Sequence, residues 1–206
     1  MYKFAGNAGL SIELVRPGRP FGAPRTSSTE CLTDGATVPP MTAAEPSPVL
    51  APSPDHDTWM GMALEEARAA TLHGDVPIGA VVVQVDGVER PRILTRRHNE
   101  RELTHDGTAH GEVLALRDAC AELGRWRLDD CVMVVTLEPC PMCAGALWAT
   151  RIGGVVIGTE SFDAGSLGTL YHLGQDPRLN HEFPVRTGVR RDDCAALLQE
   201  FFAAQR

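Results

Sequence analysis

The stretch CVMVVTLEPCPMC, which spans Cys131–Cys143, decides the fold. Its first seven residues, Cys131–Leu137, are apolar and rich in β-branched side chains, which predicts a central strand that is buried on both faces. A short helix, Met142–Thr150, is predicted after the strand, and Pro141 suits the first turn of such a helix. Because a strand buried on both faces needs a helical layer on each side, the stretch predicts α/β packing.

Strands and helices alternate on either side of this stretch. Apolar, β-branched runs predict strands, and apolar positions at the helical spacing predict helices. The further predicted strands are Ile78–Val85, Arg92–Arg96 and Gly154–Gly158. The further predicted helices run from the capping pair Asp57-Thr58 to His73-Gly74, from Thr108 to Leu123, and from Asp192 to about Ala204. This order predicts helices on both faces of a mostly parallel or mixed sheet.

The chain has 206 residues, with 19 basic and 27 acidic side chains, and its net charge is −8. This balance argues against a broad basic face that wraps nucleic acid, but it allows a small basic site. No run of 18 apolar residues is present, so we expect no membrane span, and the start of the chain lacks the apolar core of a signal peptide. The six cysteines are too sparse for a disulfide scaffold, so we expect a cytoplasmic protein with reduced thiols.

The first part of the chain differs in composition from the rest. Nine of the fifteen prolines lie within the first 54 residues, among Ser, Thr, Ala and Gly residues without helical or strand periodicity. We therefore expect residues 1–56 to form a disordered, proline-rich extension and residues 57–206 to form one folded domain. One hypothesis is that translation starts at Met41, which would leave the residues before it outside the protein.

Two short segments carry the reactive side chains: TAHGE, with His110 and Glu112, and LEPCPMC, with Cys140 and Cys143. Imidazole and thiolate are preferred zinc ligands, and a catalytic zinc takes three protein ligands and leaves the fourth position to water. His110, Cys140 and Cys143 supply three such ligands. The cysteines are three residues apart where a strand meets a helix, so both sulfurs can face one point at the helix N-terminus. The sequence therefore predicts one Zn²⁺ per chain, with a bound water as the nucleophile.

Glu112 lies two residues beyond His110. This spacing is poor for a further ligand of the same ion but close enough for a hydrogen bond to the water. We therefore predict that Glu112 is a general base, which takes a proton from the water as its oxygen attacks an electrophilic carbon and can return protons to the departing group.

Other interpretations of these residues exist. A C-x-x-C pair between a buried strand and a helix is also typical of thioredoxin-like redox proteins, and it could hold a structural zinc ion. A redox dithiol has no use for the TAHGE segment, however. Taken singly, His110 could be a structural histidine, and Glu112 could be a carboxylate at a helix N-terminus. The combination of His110 and Glu112 with both cysteines favours a catalytic metal site.

The chain resembles the bacterial tRNA-specific adenosine deaminases, which convert the wobble adenosine of an anticodon to inosine. H-x-E followed by P-C-x-x-C is the known signature of zinc-dependent nucleobase deaminases in general. Further stretches favour the tRNA branch, and together they span about Thr58–Arg206: DVPIGAVVV, TAHGEVLALR, WRLDDCVMVVTLEPCPMCAGAL, RIGGVVIG, DPRLNH and DDCAALLQEFFAAQR.

The resemblance implies a three-layer α/β/α cytidine deaminase-like fold with a central mixed five-stranded sheet. It implies zinc ligation by His110, Cys140 and Cys143, proton transfer by Glu112, and an amide contact from Asn99 to the flipped base. The alternative for Asn99 is a loop residue that caps a turn. The resemblance also implies a homodimer that binds the anticodon stem-loop of tRNA near the active site.

One segment departs from the family pattern. Residues 158–170 read GTESFDAGSLGTL, with Ser161 where the family usually has aspartate and Asp163 where it has lysine. The segment lines the RNA-binding side in the family. A deaminase of free cytosine, guanine or a related nucleobase or nucleoside is therefore the alternative function.

Positive charges near the TAHGE segment are candidate phosphate contacts, namely Arg90, Arg92, Arg96, Arg97 and Arg101. The alternative is a solvated segment in which nearby acidic residues, Glu89, Glu100 and Glu102, offset these charges. The resemblance adds Asn180, His181 and the C-terminal helix as contacts to the anticodon loop.

Overall fold

The computed structural model describes Leu50 and residues 53–205, apart from 87 and 89. The strands in this part of the chain are β1 (Gly79–Gln84), β2 (Arg92–His98), β3 (Cys131–Leu137), β4 (Gly154–Thr159) and β5 (Val185–Arg186). They form one sheet in the order β2-β1-β3-β4-β5. β1 is antiparallel to β2 and β3, whereas β3, β4 and β5 are parallel to one another. The predicted mixed five-stranded sheet is confirmed.

Helices cover both faces of this sheet. Those in the described residues are α1 (Pro54–Ala70), α2 (Arg101–Thr104), α3 (Gly111–Leu123), α4 (Pro141–Ala149) and α5 (Arg191–Ala204). Successive strand residues point to opposite faces. On one face, Val81, Val134 and Val156 pack in a cluster with α1 and α5, and on the other, Val82, Met133 and Ile157 pack with α3 and α4. The fold therefore has the three layers that the sequence predicts.

β3 occupies the centre of the sheet, as its composition predicts. Its first six residues are buried, and Val134 lies opposite Val81 of β1 and Val156 of β4. Three residues, 138–140, separate the carboxyl end of β3 from the start of α4. The central strand thus delivers Cys140 and Cys143 to the edge of the sheet where α4 begins.

Two helices begin three residues away from the predicted start, whereas α4 and α5 begin only one residue before it. α1 starts at Pro54 rather than Asp57, because the Ser53 hydroxyl caps the helix by accepting the N–H of Asp55 at 3.2 Å. α3 starts at Gly111 rather than Thr108. The Asp106 carboxylate accepts the backbone N–H and the hydroxyl of Thr108 at 2.8 and 2.7 Å, which holds Thr108 in a turn before the helix.

The start of the folded part also differs from the prediction. Leu50 is buried in the α1 face of the core, and α1 contains residues that the prediction gave to the extension, so ordered structure begins before residue 57. The rest of the predicted extension, with Met41, lies outside the described residues. No helix in the described part of the chain is long and apolar enough to cross a membrane.

Candidate active site

The N-termini of two helices meet beside the carboxyl end of β3. His110 is the residue before α3, Cys140 is the residue before α4, and Pro141 takes the first helical position of α4. Cys143 follows within the first turn of α4 and is buried. The first N–H groups of a helix carry partial positive charge, so both helices favour negative groups at this point. The site is therefore suited to thiolates and to a carboxylate.

The three predicted metal ligands lie together. The His110 Nδ1 atom is 3.8 Å from Cys140 Sγ and 3.5 Å from Cys143 Sγ, and the three ligand atoms lie within 4.8 Å of one another. A tetrahedral zinc ion with ordinary bond lengths separates nitrogen and sulfur ligands by about 3.6 Å. The residues present therefore fit a zinc ion with three protein ligands and a fourth position for water. A simple redox dithiol, by contrast, does not need an imidazole next to its two sulfurs.

The two sulfurs differ in their affinity for protons. Hydrogen bonds from the Cys143 thiol and from His110 lower the pKa of Cys140 to about 3. The same contact with Cys140, together with burial, raises the pKa of Cys143, and the contact with Cys140 also raises the pKa of His110. Cys140 is thus a thiolate at neutral pH, the form that binds metal. A cation held by both sulfurs takes the place of the Cys143 proton, because metal binding by thiols releases protons.

Glu112 lies in the first turn of α3 and is only 2% exposed. Burial disfavours the charged carboxylate and raises the pKa of Glu112. Its Oε2 atom is buried and has no hydrogen-bond partner among the described residues. An unsatisfied buried oxygen is costly, and this one is free to accept a hydrogen bond from a molecule bound beside the three metal-ligand candidates. A carboxyl group with a raised pKa can both take up and release a proton near neutral pH.

Asn99 follows β2 and is buried within the protein. Its Oδ1 atom accepts the N–H of Gly111 at 2.9 Å, and its Nδ2 atom donates to the Val76 carbonyl at 3.3 Å. Asn99 therefore caps α3 beside the metal ligands. This agrees with the alternative given for Asn99, a capping residue, but the capped element is the helix that carries Glu112.

Asp75 is a residue of this region that the sequence analysis did not single out. Its buried carboxylate accepts the backbone N–H groups of Arg101 and Glu102 at 3.1 and 3.0 Å, and it lies 3.0 Å from His73 Nδ1. Asp75 thereby fixes the segment that leads to His110. The partners are 26 and 27 residues away in sequence, and a lone acidic residue before a strand gives no signal of such contacts.

Glu138 was quoted in the LEPCPMC segment but was given no role. It is buried two residues before Cys140 and accepts hydrogen bonds from residues 161–169. A signal for such a role was present in the sequence. A carboxylate directly after a strand that is buried along most of its length has to find donors when it is buried itself.

Four of the five candidate phosphate contacts are paired with acidic side chains. Arg92 pairs with Glu122 of α3, Arg96 with Glu65 and Glu66 of α1, Arg97 with Glu100 and Asp118, and Arg101 with Asp75 and Glu102. The pairs of Arg92, Arg96 and Arg97 connect β2 to α1 and α3, whereas those of Arg101 lie at α2. The arrangement favours the alternative in which nearby carboxylates offset these charges.

The other residues suggested as RNA contacts lie on the loops after β4. The Ser161 N–H is bonded to Glu138, and Asp163 is exposed. Asn180 Oδ1 accepts from Arg151 at 2.8 Å, and His181 Nε2 lies 3.0 Å from the Ile152 carbonyl. Asn180 and His181 thus hold the end of the loop to the turn after α4.

The known proteins that this chain resembles are enzymes whose chemistry agrees with the geometry of the site. The family of MafB19-like deaminases matches residues 54–206. A tRNA-specific adenosine deaminase of Bacillus subtilis (strain 168) is 43% identical over 146 residues, which cover 71% of this chain and 88% of that protein. A tRNA-specific adenosine deaminase of Haemophilus influenzae is 36% identical over 150 residues, with coverage of 73% and 84%.

Solved structures give the same fold. A structure from a study of A-to-I editing by tRNA:A34 deaminases has a TM-score of 0.63 at 36% identity and covers 68% of this chain and 99% of that chain. A guanine deaminase from Nitrosomonas europaea has a TM-score of 0.59 at 30% identity, with coverage of 78% and 89%. The predicted fold class is confirmed by this likeness and by the mixed sheet. The chain belongs to the MafB19-like deaminases and, among them, to the family of tRNA-specific adenosine deaminases.

Proposed function

We propose that the chain is a zinc-dependent hydrolytic deaminase that converts the wobble adenosine of tRNA to inosine and releases ammonia. The observation that carries the proposal is the buried Oε2 atom of Glu112, which lacks a partner among the described residues and stands next to a His/Cys/Cys ligand set. The Bacillus subtilis and Haemophilus influenzae relatives, which are named for tRNA adenosine deamination, support the substrate.

The chemistry divides among the side chains according to their position. Zinc, when held by His110, Cys140 and Cys143, supplies the Lewis acid that lets a water molecule lose a proton near neutral pH. Glu112 takes this proton on Oε2 while the water oxygen bonds to C6 of adenine. Glu112 gives this proton to N1 of the ring, then takes the proton of the hydroxyl now bonded to C6 and gives it to the departing amine as the C6–N bond breaks and the C6 carbonyl forms. Adenosine and water are thereby converted to inosine and ammonia.

Asn99 would orient the base during this transfer. Its contacts with Gly111 and Val76 fix the plane of the amide. The amide nitrogen carries two hydrogens, and the one that does not point to Val76 would bond to the flipped base. Because Asn99 also caps α3, base binding and the position of Glu112 depend on the same side chain.

The test uses the full chain loaded with zinc and an anticodon stem-loop with adenosine at the wobble position. A stem-loop with guanosine at that position is the control. We expect one ammonia for each inosine formed from the first RNA and none from the second. Failure to form inosine, by a preparation with one zinc per chain, would overturn the assignment of tRNA as substrate.

A free nucleobase is the second candidate substrate. Two observations favour it: Ser161 and Asp163 replace the usual family residues, and the Nitrosomonas europaea structure of similar fold is a guanine deaminase. The same ammonia assay with guanine, cytosine and adenosine separates the two functions. Release from a free base without release from the stem-loop would make this candidate the correct one.

The proposal extends to assembly and location. We expect a homodimer, as the resemblance to the tRNA-specific adenosine deaminases implies. Phe162, Leu170 and Tyr171 are exposed on the loop after β4 and are available for such a contact. Light scattering should give the mass of two chains, and the mass of one chain would contradict the dimer. We expect a cytoplasmic protein, which cell fractionation checks, since the metal-binding thiols need a reducing compartment.

A further inference from the structure

Glu138 is a buried carboxylate that the proposed chemistry does not use. It lies between the end of β3 and Cys140, and only 5% of the residue is exposed. Burying a carboxylate is expensive unless strong donors surround it. The donors around Glu138 therefore show what the side chain holds.

All these donors belong to one loop, Ser161–Thr169. Oε1 accepts the N–H groups of Leu167 and Thr169 at 2.9 and 3.0 Å, and Oε2 accepts the N–H of Ser161 at 3.2 Å and the hydroxyl of Thr169. All four groups donate, so both oxygens of the carboxylate are satisfied by backbone N–H groups and one hydroxyl of the loop.

The loop is tied to the same turn by a second contact. The Ser166 N–H donates to the Pro139 carbonyl at 3.0 Å, and the Glu138 N–H donates to the Thr159 carbonyl at 2.9 Å. Gly165 comes so close that a Cβ atom at this position would lie 2.3 Å from Glu138 Oε2. The loop is therefore held by two groups of the turn before Cys140, the Glu138 side chain and the Pro139 backbone.

These hydrogen bonds connect the loop to Cys140, a predicted metal ligand, through only a few covalent bonds. Pro139, whose carbonyl holds Ser166, is the residue directly before Cys140. The loop itself presents Phe162 and Asp163 to the outside, with Phe162 81% exposed. A fixed loop places these two side chains at a constant distance from Cys140.

We propose that Glu138 is a positioning residue, which holds the Ser161–Thr169 loop at the turn before Cys140 so that the loop forms part of the substrate-binding surface. The inference rests on the proposed function in one respect, namely that the substrate binds next to His110, Cys140 and Cys143. It does not depend on which of the two candidate substrates is used. Glu138 itself need not touch the substrate.

The test is Glu138→Gln, which keeps the size of the side chain but turns an amide N–H₂ toward the donors of the loop. Glu160→Gln is the matched control, because this neighbouring carboxylate pairs with Arg191 instead of the loop. Hydrogen exchange of peptides with Ser161, Leu167 and Thr169 is measured with zinc content, kcat and KM. KM is determined for the stem-loop or for the free base, whichever the unmodified chain deaminates.

We expect Glu138→Gln to retain one zinc per chain, to exchange the loop amides faster, and to raise KM by about 10-fold or more with a smaller change in kcat. The control should match the unmodified chain in all four measurements. Faster exchange with an unchanged KM would reduce Glu138 to a structural residue and overturn the proposal. Loss of zinc with unchanged exchange would overturn it as well, since the carboxylate would then act on Cys140 alone.

Gly165→Ala tests the same contact between Glu138 and the loop without removing the charge of the carboxylate. It is the deciding variant if Glu138→Gln does not fold. Its Cβ atom pushes the loop away from Oε2, so we expect the same rise in KM. In the double variant, KM should rise no further than in the stronger single variant, because both changes break one interaction. Additive effects would contradict the proposal. If the unmodified chain deaminates only the free base, the tRNA assignment is wrong. The variants still test the role of Glu138, because KM is then measured for the free base.

Discussion

Glu112 combines two properties that are unfavourable for stability: its carboxyl group is buried, and one oxygen has no partner among the described residues. Replacing the group by an apolar one would improve the core, so its presence points to chemistry. We expect Glu112→Gln to lower kcat by about 10²- to 10⁴-fold, because the amide cannot carry a proton between water and substrate. Zinc content should stay at one per chain, measured by atomic absorption.

Glu122→Gln is the control for this variant, since Glu122 is on the same helix but is exposed and pairs with Arg92. Its kcat should be that of the unmodified chain. If Glu112→Gln lost its zinc along with its activity, Glu112 would be a ligand or a structural residue, and the general-base role would be wrong.

The cysteines of α4 and its N-cap allow a second prediction at the residue scale. Cys140→Ser and Cys143→Ser should each lose most of the bound zinc and lower Tm by about 10 °C, because metal binding stabilises only the folded chain. Cys120→Ser, half-buried on α3 away from the ligands, should keep its zinc. Metal analysis and thermal unfolding with and without a chelator check this. Full zinc content in both ligand variants would contradict the assigned site.

At the scale of elements, the contact between α1 and β1 is unusually close. A Cβ atom at Gly79 would lie 1.9 Å from the Ala63 carbonyl oxygen of α1, and the Gly79 N–H donates to the Thr136 hydroxyl at 3.1 Å. We expect Gly79→Ala to lower the free energy of unfolding by about 3 kcal/mol, since backbone has to move. Gly145 in α4 has open space around its Cα, so Gly145→Ala should raise that free energy by about 0.5–1 kcal/mol. Urea denaturation with excess zinc measures both, and equal effects would contradict this packing.

The elements that the sequence predicts well are those that local composition decides. β3 has the predicted bounds because a run of β-branched residues in the middle of a sheet has no competing structure. β5 was not predicted, because Val185–Arg186 is too short for a periodic pattern and forms only by pairing with Val155 and Val156. Helix starts were misplaced where a side chain caps the chain earlier or later, as Ser53 and Asp106 do.

The residues of the site also divide into those that the sequence predicts and those that it does not. His110, Cys140 and Cys143 could be predicted because their residue types and spacing are themselves the chemistry, and the structure brings the three together. Asp75 could not, because it acts on backbone groups 26 and 27 residues away, and such groups carry no signature in sequence. For Glu138 the sequence indicates only that a carboxylate next to a buried strand needs donors, and the donors themselves lie more than 20 residues away.

At the scale of the whole molecule, most arginines in the described part of the chain are paired with carboxylates of the same chain. Nine arginines form ion pairs with carboxylates, among them those of β2 with α1 and α3, which leaves five of the fourteen described arginines outside such pairs. The net charge of −8 adds a general repulsion for phosphate. A tRNA bound by this chain is therefore held mainly through its unstacked loop bases and through few phosphates.

This distribution of charge predicts a shallow salt dependence. For single strands the logarithm of the affinity falls with the logarithm of salt concentration by about 0.7 per neutralised phosphate. The five arginines outside ion pairs in the described part of the chain would therefore contribute a slope of at most about −3.5. The measurement is the binding of an anticodon stem-loop to Glu112→Gln protein, which holds substrate without turnover, between 50 and 200 mM salt. Arg117→Ala, which removes an arginine outside the ion pairs, is compared with Arg97→Ala, which removes a paired one. We expect the larger loss of slope for Arg117→Ala. A larger loss for Arg97→Ala would mean that RNA opens the ion pairs of β2 and takes its arginines as phosphate contacts.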